Sequence, residues 1–454
     1  MANENHNRAQ FATRLGVIAT TVGSAVGLGN IWRFPYEAGT HGGGAFLICY
    51  LGCILALGIP VLCAEFVIGR NTRSNIFGAF KQLASSGKWQ WVGYIGITAS
   101  LMILSFYSVV AGWTLEYFFQ SVTGGLDYDS QDEFHRQFNS FSTSNWRPIM
   151  WTLVFLVFNF IIVNRGVKKG IERMSNIMMP ALFLILLIFC VNSLIMPGAK
   201  EGLAFLFTPD FSKITPDVLI GALGQAFFSL SLGLGTMMTY GSYFSKDTHI
   251  VRSASVTAGL DTLVAILSGI IIFPAVFTFG VSPAQGPALV FEVLPSIFRQ
   301  LPWGEVWSTL FFFLLFLASL TSTISMSEVS IAFFTEEKKM DRKKATRLNT
   351  AIAMIFGTLC AMSFGWLDGI TFFGLFDIDL FTFFDFTSSN ILLPLGGMLI
   401  SIFAGWLLDK KLLRNELTND GTIKVLSFRA IVFCLKIIAP VCIGLIFIFG
   451  LGIF

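Results

Sequence analysis

The feature that most constrains this chain is a succession of long apolar runs. Eleven stretches of about 18 or more mostly apolar residues, centred near residues 25, 55, 105, 155, 187, 231, 267, 318, 356, 393 and 441, alternate with shorter polar connections. Each is long enough to cross a bilayer as a helix. Inside lipid only helices and closed barrels satisfy their own backbone polar groups. The short alternating segments of an outer-membrane barrel are absent, so the sequence predicts an all-α polytopic membrane protein with eleven transmembrane helices. Composition agrees, with 54% hydrophobic and only 13% charged residues, where a soluble chain carries about a quarter charged.

The distribution of Lys and Arg sets the expected orientation. With the N-terminus inside, Arg8, Arg14, Arg70, Arg73, Lys81, Lys88, Arg165, Lys168, Lys169, Arg173, Lys246, Arg252, the run from Lys338 to Arg347, Lys410, Lys411, Arg414, Lys424 and Arg429 all fall in cytoplasmic connections. Only Arg136, Arg147, Lys200, Lys213 and Arg299 fall outside. This positive-inside bias predicts a cytoplasmic N-terminus, an external C-terminus and residence in the lipid bilayer of an inner (plasma) membrane. The charge runs read as solvated loops and imply no nucleic-acid partner. Cys49, Cys53, Cys63, Cys190, Cys360, Cys434 and Cys442 all lie in apolar segments, which leaves no external disulfide framework. The polar stretch before the first span lacks a cleavable pattern, so that span is expected to be retained.

Within the first span the residues turn against helix formation. Gly23, Gly27 and Gly29 crowd together and are followed by Asn30, Arg33 and Pro35, at a depth where lipid penalises each of the last three. Non-helical backbone is tolerated there only where it is buried in protein or lines a wet cavity, so a binding site is expected at this break. The sixth span repeats the pattern at Gly233 and Gly235, after Phe228, Ser229 and Ser231. Two Gly-interrupted spans five apart predict an inverted repeat: repeat one over about 12–196, repeat two over about 218–409, and an eleventh helix over about 427–454 in a single 1–454 domain.

Other residues sharpen this picture. In the fifth span Gly170 and Pro180 enclose nine residues, a pattern that lets the inner end of the helix unwind or merely kink. Asp261, deep in the seventh span, needs a cationic partner. The carbonyl of Ala318 and the hydroxyls of Thr321 and Ser322 share one helix face, although such hydroxyls often only back-bond to their own helix. Glu65, near the inner end of the second span, either faces headgroups or belongs to the pattern Glu65-Phe-x-x-Gly-Arg70, and Lys436 snorkels inward. Asp377, Asp379 and Asp385 lie towards the outer end of the tenth span. There is no Walker sequence, no Cys/His cluster and no nucleophile elbow, and the four histidines (His6, His41, His135, His249) are scattered. No enzyme chemistry is indicated.

The motifs Ala25-Val-Gly-Leu-Gly-Asn30-Ile-Trp-Arg-Phe-Pro35, Gly42-Gly-Gly-Ala-Phe46, Glu65-Phe-x-x-Gly-Arg70, Phe228-Ser-x-Ser-x-Gly233 and Thr321-Ser322 occur in this order. Together they resemble the signatures of the neurotransmitter:sodium symporters, and among them the eleven-span bacterial amino-acid transporters. The resemblance implies ten helices in a 5+5 inverted repeat, with helices 1 and 6 broken, plus one peripheral helix. It also implies two sodium sites. One would use the carbonyl of Ala25, Asn30, Ser229, Asp261 and the substrate carboxylate; the other, carbonyls of Gly23, Val26 and Ala318 with the hydroxyls of Thr321 and Ser322. All-oxygen cages suit a hard cation.

For the amino acid, the resemblance implies a carboxylate on the amides of Leu28 and Gly29 and on the Tyr107 hydroxyl. It places the amino group on carbonyls of Ala25, Phe228, Ser229 and Ser231, and the side chain among Ile103, Tyr107, Phe228, Leu234 and Met326, with Ser322 alongside. That pocket has no charge for a charged side chain, which points to a hydrophobic or aromatic L-amino acid. The implied gates are Arg33 with Asp385 outside, under which Tyr107 and Phe228 form a lid, and Arg8 with Glu336 inside, near Phe11, Ser242 and Tyr243. Gly170 and Pro180 match the family's unwinding element. Asp261 stands where many relatives have asparagine, so chloride-independent transport is expected. Phe11 and Glu336 depart from the usual tryptophan and aspartate. The expected function is inward sodium-coupled symport by alternating access, without an obligatory protein partner; a non-transporting amino-acid sensor and a proton-coupled transporter remain the alternatives.

Overall fold

The computed structural model describes residues 9–128, 130–280, 289–369, 378–425 and 427–450. Among them there is no β-strand, and the membrane-crossing candidates can be numbered in chain order. These are α1 (Arg14–Ala25), α2 (Gly29–Thr40), α3 (Gly44–Thr72), α4 (Gly87–Val122), α5 (Arg147–Asn164), α6 (Val167–Leu194), α7 (Pro216–Ser229), α8 (Thr236–Gly241), α9 (Ile250–Phe279), α10 (Gly304–Glu336), α11 (Arg342–Met362), α12 (Leu380–Leu407) and α13 (Phe428–Phe449). Nine of these are continuous helices long and apolar enough to span a bilayer, and α1 with α2 makes a tenth crossing bent by 55°. The pair α7 and α8 is the remaining candidate crossing, split by a longer break.

Local chemistry explains where the helices stop. Thr13 caps α1 by accepting the Gly16 amide, and the helix ends where Val26 turns extended (φ −67°, ψ 117°). After α7 the chain passes through left-handed backbone at Ser231 (φ 51°), Gly233 (φ 86°) and Gly235 (φ 79°) before α8 begins. Glycine is needed at 233 for a second reason: a Cβ there would lie 2.4 Å from the Leu393 carbonyl of α12. The first turn of α6, Val167–Glu172, is wound as a π-helix around Gly170, and Pro180 sits inside the helix that follows. The expected loosening is therefore a wide turn rather than a gap, as π-bulges commonly are.

The long helices α4 and α10 pack against each other and, with α5 and α11, form one wall of the bundle. The half-helix α1 lies against α6, α9 and α10, while α7 and α8 both pack on α3. Both breaks thus face the interior, where their free backbone groups find partners other than lipid. The terminal helix α13 packs mainly on α12. This is the broken-helix bundle the sequence predicts.

Candidate functional site

Where the two breaks meet, a small cavity of about 20 Å³ is lined by Ala25, Gly27, Gly29, Ile103, Tyr107, Phe228, Ser229, Ser231, Leu234, Ser322, Met326 and Leu393. All but Gly27 and Leu393 are among the residues that the resemblance implies for an amino acid. Leu28 joins them through its backbone, whose N–H donates to the Tyr107 hydroxyl at 3.0 Å. The walls are apolar from α4 (Ile103), the second break (Leu234) and α10 (Met326), and polar at the first break. Leu393 went unnoticed because nothing distinguishes it from other leucines of an apolar span. Gly27 cannot be larger: a Cβ there would sit 2.6 Å from Ser322 Oγ and 3.0 Å from the Tyr107 hydroxyl.

Beside the cavity, Asn30, Ser229 and Asp261 form one buried knot. Asn30 Nδ2 donates to Asp261 Oδ1 at 2.7 Å, to the Asp261 carbonyl at 3.1 Å and to Ser229 Oγ at 2.9 Å. Ser229 donates to Asp261 Oδ2 at 2.6 Å, and the Tyr50 hydroxyl approaches the same oxygen at 3.5 Å. Residues from both breaks are thereby tied to the unbroken α9. On the other side of α1, Ser322 donates to the Val26 carbonyl at 3.1 Å, Thr321 donates to the Ala318 carbonyl at 3.0 Å, and Gly23 faces Thr321 closely enough that a Cβ would touch it at 3.4 Å. Gly23, Val26, Ala318, Thr321 and Ser322 therefore converge from α1 and α10. Among the described residues no cluster of three His, Cys, Asp or Glu side chains is placed to hold a metal. A cation at these two places would be held mostly by hydroxyls and carbonyls, the donor set of a hard ion.

At the outer end Arg33 and Asp385 sense each other's charge without a direct ion pair. Arg33 forms its ion pair with Glu37, one helical turn on, at 3.5 Å, and its guanidinium lies 4.6 Å from the centre of the Phe228 ring. No ion pair within 4.0 Å joins it to Asp385, which accepts instead from Ser389 at 3.0 Å. The physical reason is local: an i, i+4 carboxylate is within reach of Arg33 by helix geometry alone. At the inner end Arg8 lies outside the described residues. Its expected partner Glu336 accepts from the Asn75 backbone and side chain at 2.8 and 2.9 Å. Phe11 is buried edge-on against Tyr240 and Tyr243, and its amide donates to the Tyr243 carbonyl at 3.1 Å.

Three carboxylates near the two broken crossings make contacts that their sequence positions do not suggest. Glu65 is fully buried rather than at a headgroup, and accepts from the amides of Gly233 (2.8 Å) in the second break and Met238 (3.2 Å) in the first turn of α8. Glu172, in the π-turn of α6, accepts from the amides of Ala12 (2.8 and 3.1 Å) and Thr13 (3.1 Å) and from the Thr13 hydroxyl. Glu328 of α10 takes the Tyr243 hydroxyl at 2.6 Å and both terminal nitrogens of Arg342. Glu172 and Arg342 carry no signal in a single sequence beyond being charges near helix ends, whereas Glu328, inside the apolar span of α10, is a signal of the same kind as Asp261.

The chain matches the model of the sodium:neurotransmitter symporter family over residues 8–146 and 131–454. It belongs to this family. A sodium-dependent transporter of Bacillus subtilis is 39% identical over 444 residues, covering 98% of both chains, and one of Haemophilus influenzae is 36% identical over 99% of this chain and 100% of its own length. Among solved structures, that of MhsT in complex with L-phenylalanine superposes with a TM-score of 0.89 at 43% identity, covering 97% of this chain and 99% of MhsT. The protein is thus a sodium-dependent membrane transporter of the symporter family, with its fold, and not an enzyme.

Proposed function

We propose that this symporter carries a hydrophobic or aromatic L-amino acid into the cell together with sodium, by alternating access and without chloride. The carrying observation is the cavity at the two breaks. Its polar end is backbone and hydroxyl, matched to an α-amino acid, and its far end is Ile103, Leu234 and Met326, matched to an apolar side chain. In this reading the substrate carboxylate meets the amides of Leu28 and Gly29 and the hydroxyl of Tyr107, where the start of α2 favours an anion. The amino group meets carbonyls of Ala25, Phe228, Ser229 and Ser231. That MhsT is solved with L-phenylalanine supports an aromatic cargo.

One sodium ion belongs with the Ala25 carbonyl, Asn30, Ser229, Asp261 and the substrate carboxylate, so that ion and amino acid stabilise each other's binding. A second belongs with carbonyls of Gly23, Val26 and Ala318 and the hydroxyls of Thr321 and Ser322. Asp261 supplies a resident negative charge beside Tyr50 and Ser229, which removes the need for a chloride ion there. Arg33 and Asp385 close the outside, Arg8 and Glu336 the inside, and unwinding between Gly170 and Pro180 wets the second sodium site before release. The two repeats, about 12–196 and 218–409, rock about this point, with the N-terminus cytoplasmic and the C-terminus outside an inner (plasma) membrane. No protein partner is required. Uptake of labelled phenylalanine, tryptophan and leucine into proteoliposomes tests this: a sodium gradient should drive it, gluconate should replace chloride without loss, and glycine or glutamate should compete poorly. Sodium-dependent binding without uptake would instead mark a sensor, and uptake driven by a proton gradient alone would refute sodium coupling.

A further inference from the structure

Two adjoining cavities at the strongly basic end of the bundle take no part in the function proposed above. One, of about 170 Å³, opens between the start of α1 and the start of α9 and is lined by Arg14, His249 and Arg252 among others. The second, of about 300 Å³, shares His249 and Arg252 and continues to Lys424 and Ser427 at the start of α13. Three features make this joint crevice unusual. Among the described residues Arg14, Arg252 and Lys424 have no carboxylate within ion-pairing distance, and Asp247 is the only acid on the walls. The first residue before α9, His249, and the first before α13, Ser427, provide no side-chain cap, so two helix N-termini point their positive ends at one space. Beside the hydroxyls of Thr248 and Ser253 the walls carry aliphatic side chains, with Leu417, Ile423 and Val425 facing the larger cavity.

We propose that this crevice is a binding site for the headgroup of an anionic phospholipid. The phosphate is met by Arg252, Lys424 and the start of α9, and the aliphatic walls take the upper part of the acyl chains. The lipid source follows from position, since the crevice lies where three membrane-crossing segments begin and aliphatic side chains line both of its parts. A free phosphate would gain nothing from those walls. Because Arg14 is the first residue of α1, a headgroup seated here also joins that half-helix to the unbroken α9.

Lipid binding to the full-length protein in detergent tests the assignment. Phosphatidylglycerol, phosphatidylcholine and inorganic phosphate are each titrated while melting temperature is followed. Phosphatidylglycerol should stabilise the protein at lower concentration than phosphatidylcholine, and phosphate at matched concentration should have no effect. Each cation near a bilayer surface contributes about five-fold in affinity, so Arg252→Gln with Lys424→Gln should weaken the phosphatidylglycerol response by roughly 30-fold. Arg252→Lys should keep most of it. Lys343→Gln with Lys344→Gln, two basic residues at the same end but outside the crevice, should leave it unchanged. If the double crevice variant does not fold, Lys424→Gln alone, at an exposed position, should show the five-fold loss. Equal responses to the two lipids, an equal loss in the Lys343/Lys344 control, or stabilisation by inorganic phosphate alone would each overturn the proposal.

Discussion

Replacing Glu172 by glutamine separates the docked from the released state of the first half-helix. The carboxylate, only 3% exposed, receives the Ala12 amide on both oxygens and the Thr13 amide and hydroxyl on Oε1. It also faces the positive end of α1, so charge and hydrogen bonding act together. Glutamine keeps one acceptor and turns an NH₂ towards amides that are themselves donors. Hydrogen bonds to charged groups contribute about 1.5–3 kcal/mol each, so a net loss of about 2–3 kcal/mol is expected, or roughly a 30- to 150-fold shift towards release of α1. Ser242 is buried at the end of α8, and a Ser242→Cys thiol there reports that release. In membranes, its reaction with a water-soluble maleimide should accelerate in the Glu172→Gln background. Thr13→Ala removes both the hydroxyl's bond to this carboxylate and the N-cap acceptor of the Gly16 amide, so a cost of about 2 kcal/mol and a shift of roughly 30-fold are expected. Gly16→Ala should imitate the glutamine, because its Cβ would fall 2.0 Å from Glu172 Oε1. Equal labelling rates in Glu172→Gln and its parent, with unchanged melting temperature, would refute the idea that this carboxylate holds α1 closed.

Other substitutions probe the site itself. Tyr107→Phe removes the hydroxyl bonded to the Leu28 amide and should weaken amino-acid binding by about 10-fold in equilibrium titration while sparing sodium-dependent stabilisation. Asp261→Asn removes the resident charge beside Ser229 and should make uptake respond to chloride; uptake that falls but stays indifferent to chloride would contradict the role given to Asp261. Glu37→Gln frees Arg33 for Asp385 and, as a partly exposed pair is worth about 0.2–1 kcal/mol, should slow amino-acid dissociation by no more than about five-fold. Met326→Phe fills the apolar end of the cavity and should shift competition from aromatic towards small aliphatic amino acids.

The parts of the site that a reader of the sequence can find are those that break a rule of the apolar span. Gly23 to Pro35 stands out because a membrane helix has no use for three close glycines, an amide and a guanidinium. The same violation marks Gly233 and Gly235, and an acid at 261 is conspicuous in lipid. Glu172 and Arg342 break no rule, since charges near helix ends are ordinary, whereas Glu328, fully buried inside α10, breaks the same rule as Asp261 and is an equally readable signal. Their meaning lies in contacts that span 160 residues in one case and 85 in another. Leu393 is hidden for the opposite reason, being one apolar residue among many. The pairing of Arg33 with Glu37 is readable from its i, i+4 spacing, whereas the nearness of Asp385, far along the chain, is not.

Four buried acids follow one pattern that gives the bundle its working logic. Glu65 on α3, Glu172 on α6, Asp261 on α9 and Glu328 on α10 all sit on helices that continue through the layer, and each receives hydrogen bonds from one of the two broken crossings or its flanks. The cause is the break itself. At Glu65 and Glu172 the donors are backbone amides left without helical partners beside a break or at a helix start, and at Asp261 and Glu328 they are the side chains of Asn30, Ser229 and Tyr243. A carboxylate is the side chain that can accept several such donors at once, but its own burial is tolerated only while those donors stay in place. Glu65 and Glu172 therefore make their contacts all-or-none, the broken segment being either docked or exposing both groups to water, while Glu328 keeps its Arg342 partner when Tyr243 leaves. Rearrangement of the two broken crossings should then be coupled to hydration of these four sites. Removing Glu65 or Glu328 should loosen α8 as removing Glu172 loosens α1, which hydrogen exchange at the amides of residues 233–243 would detect.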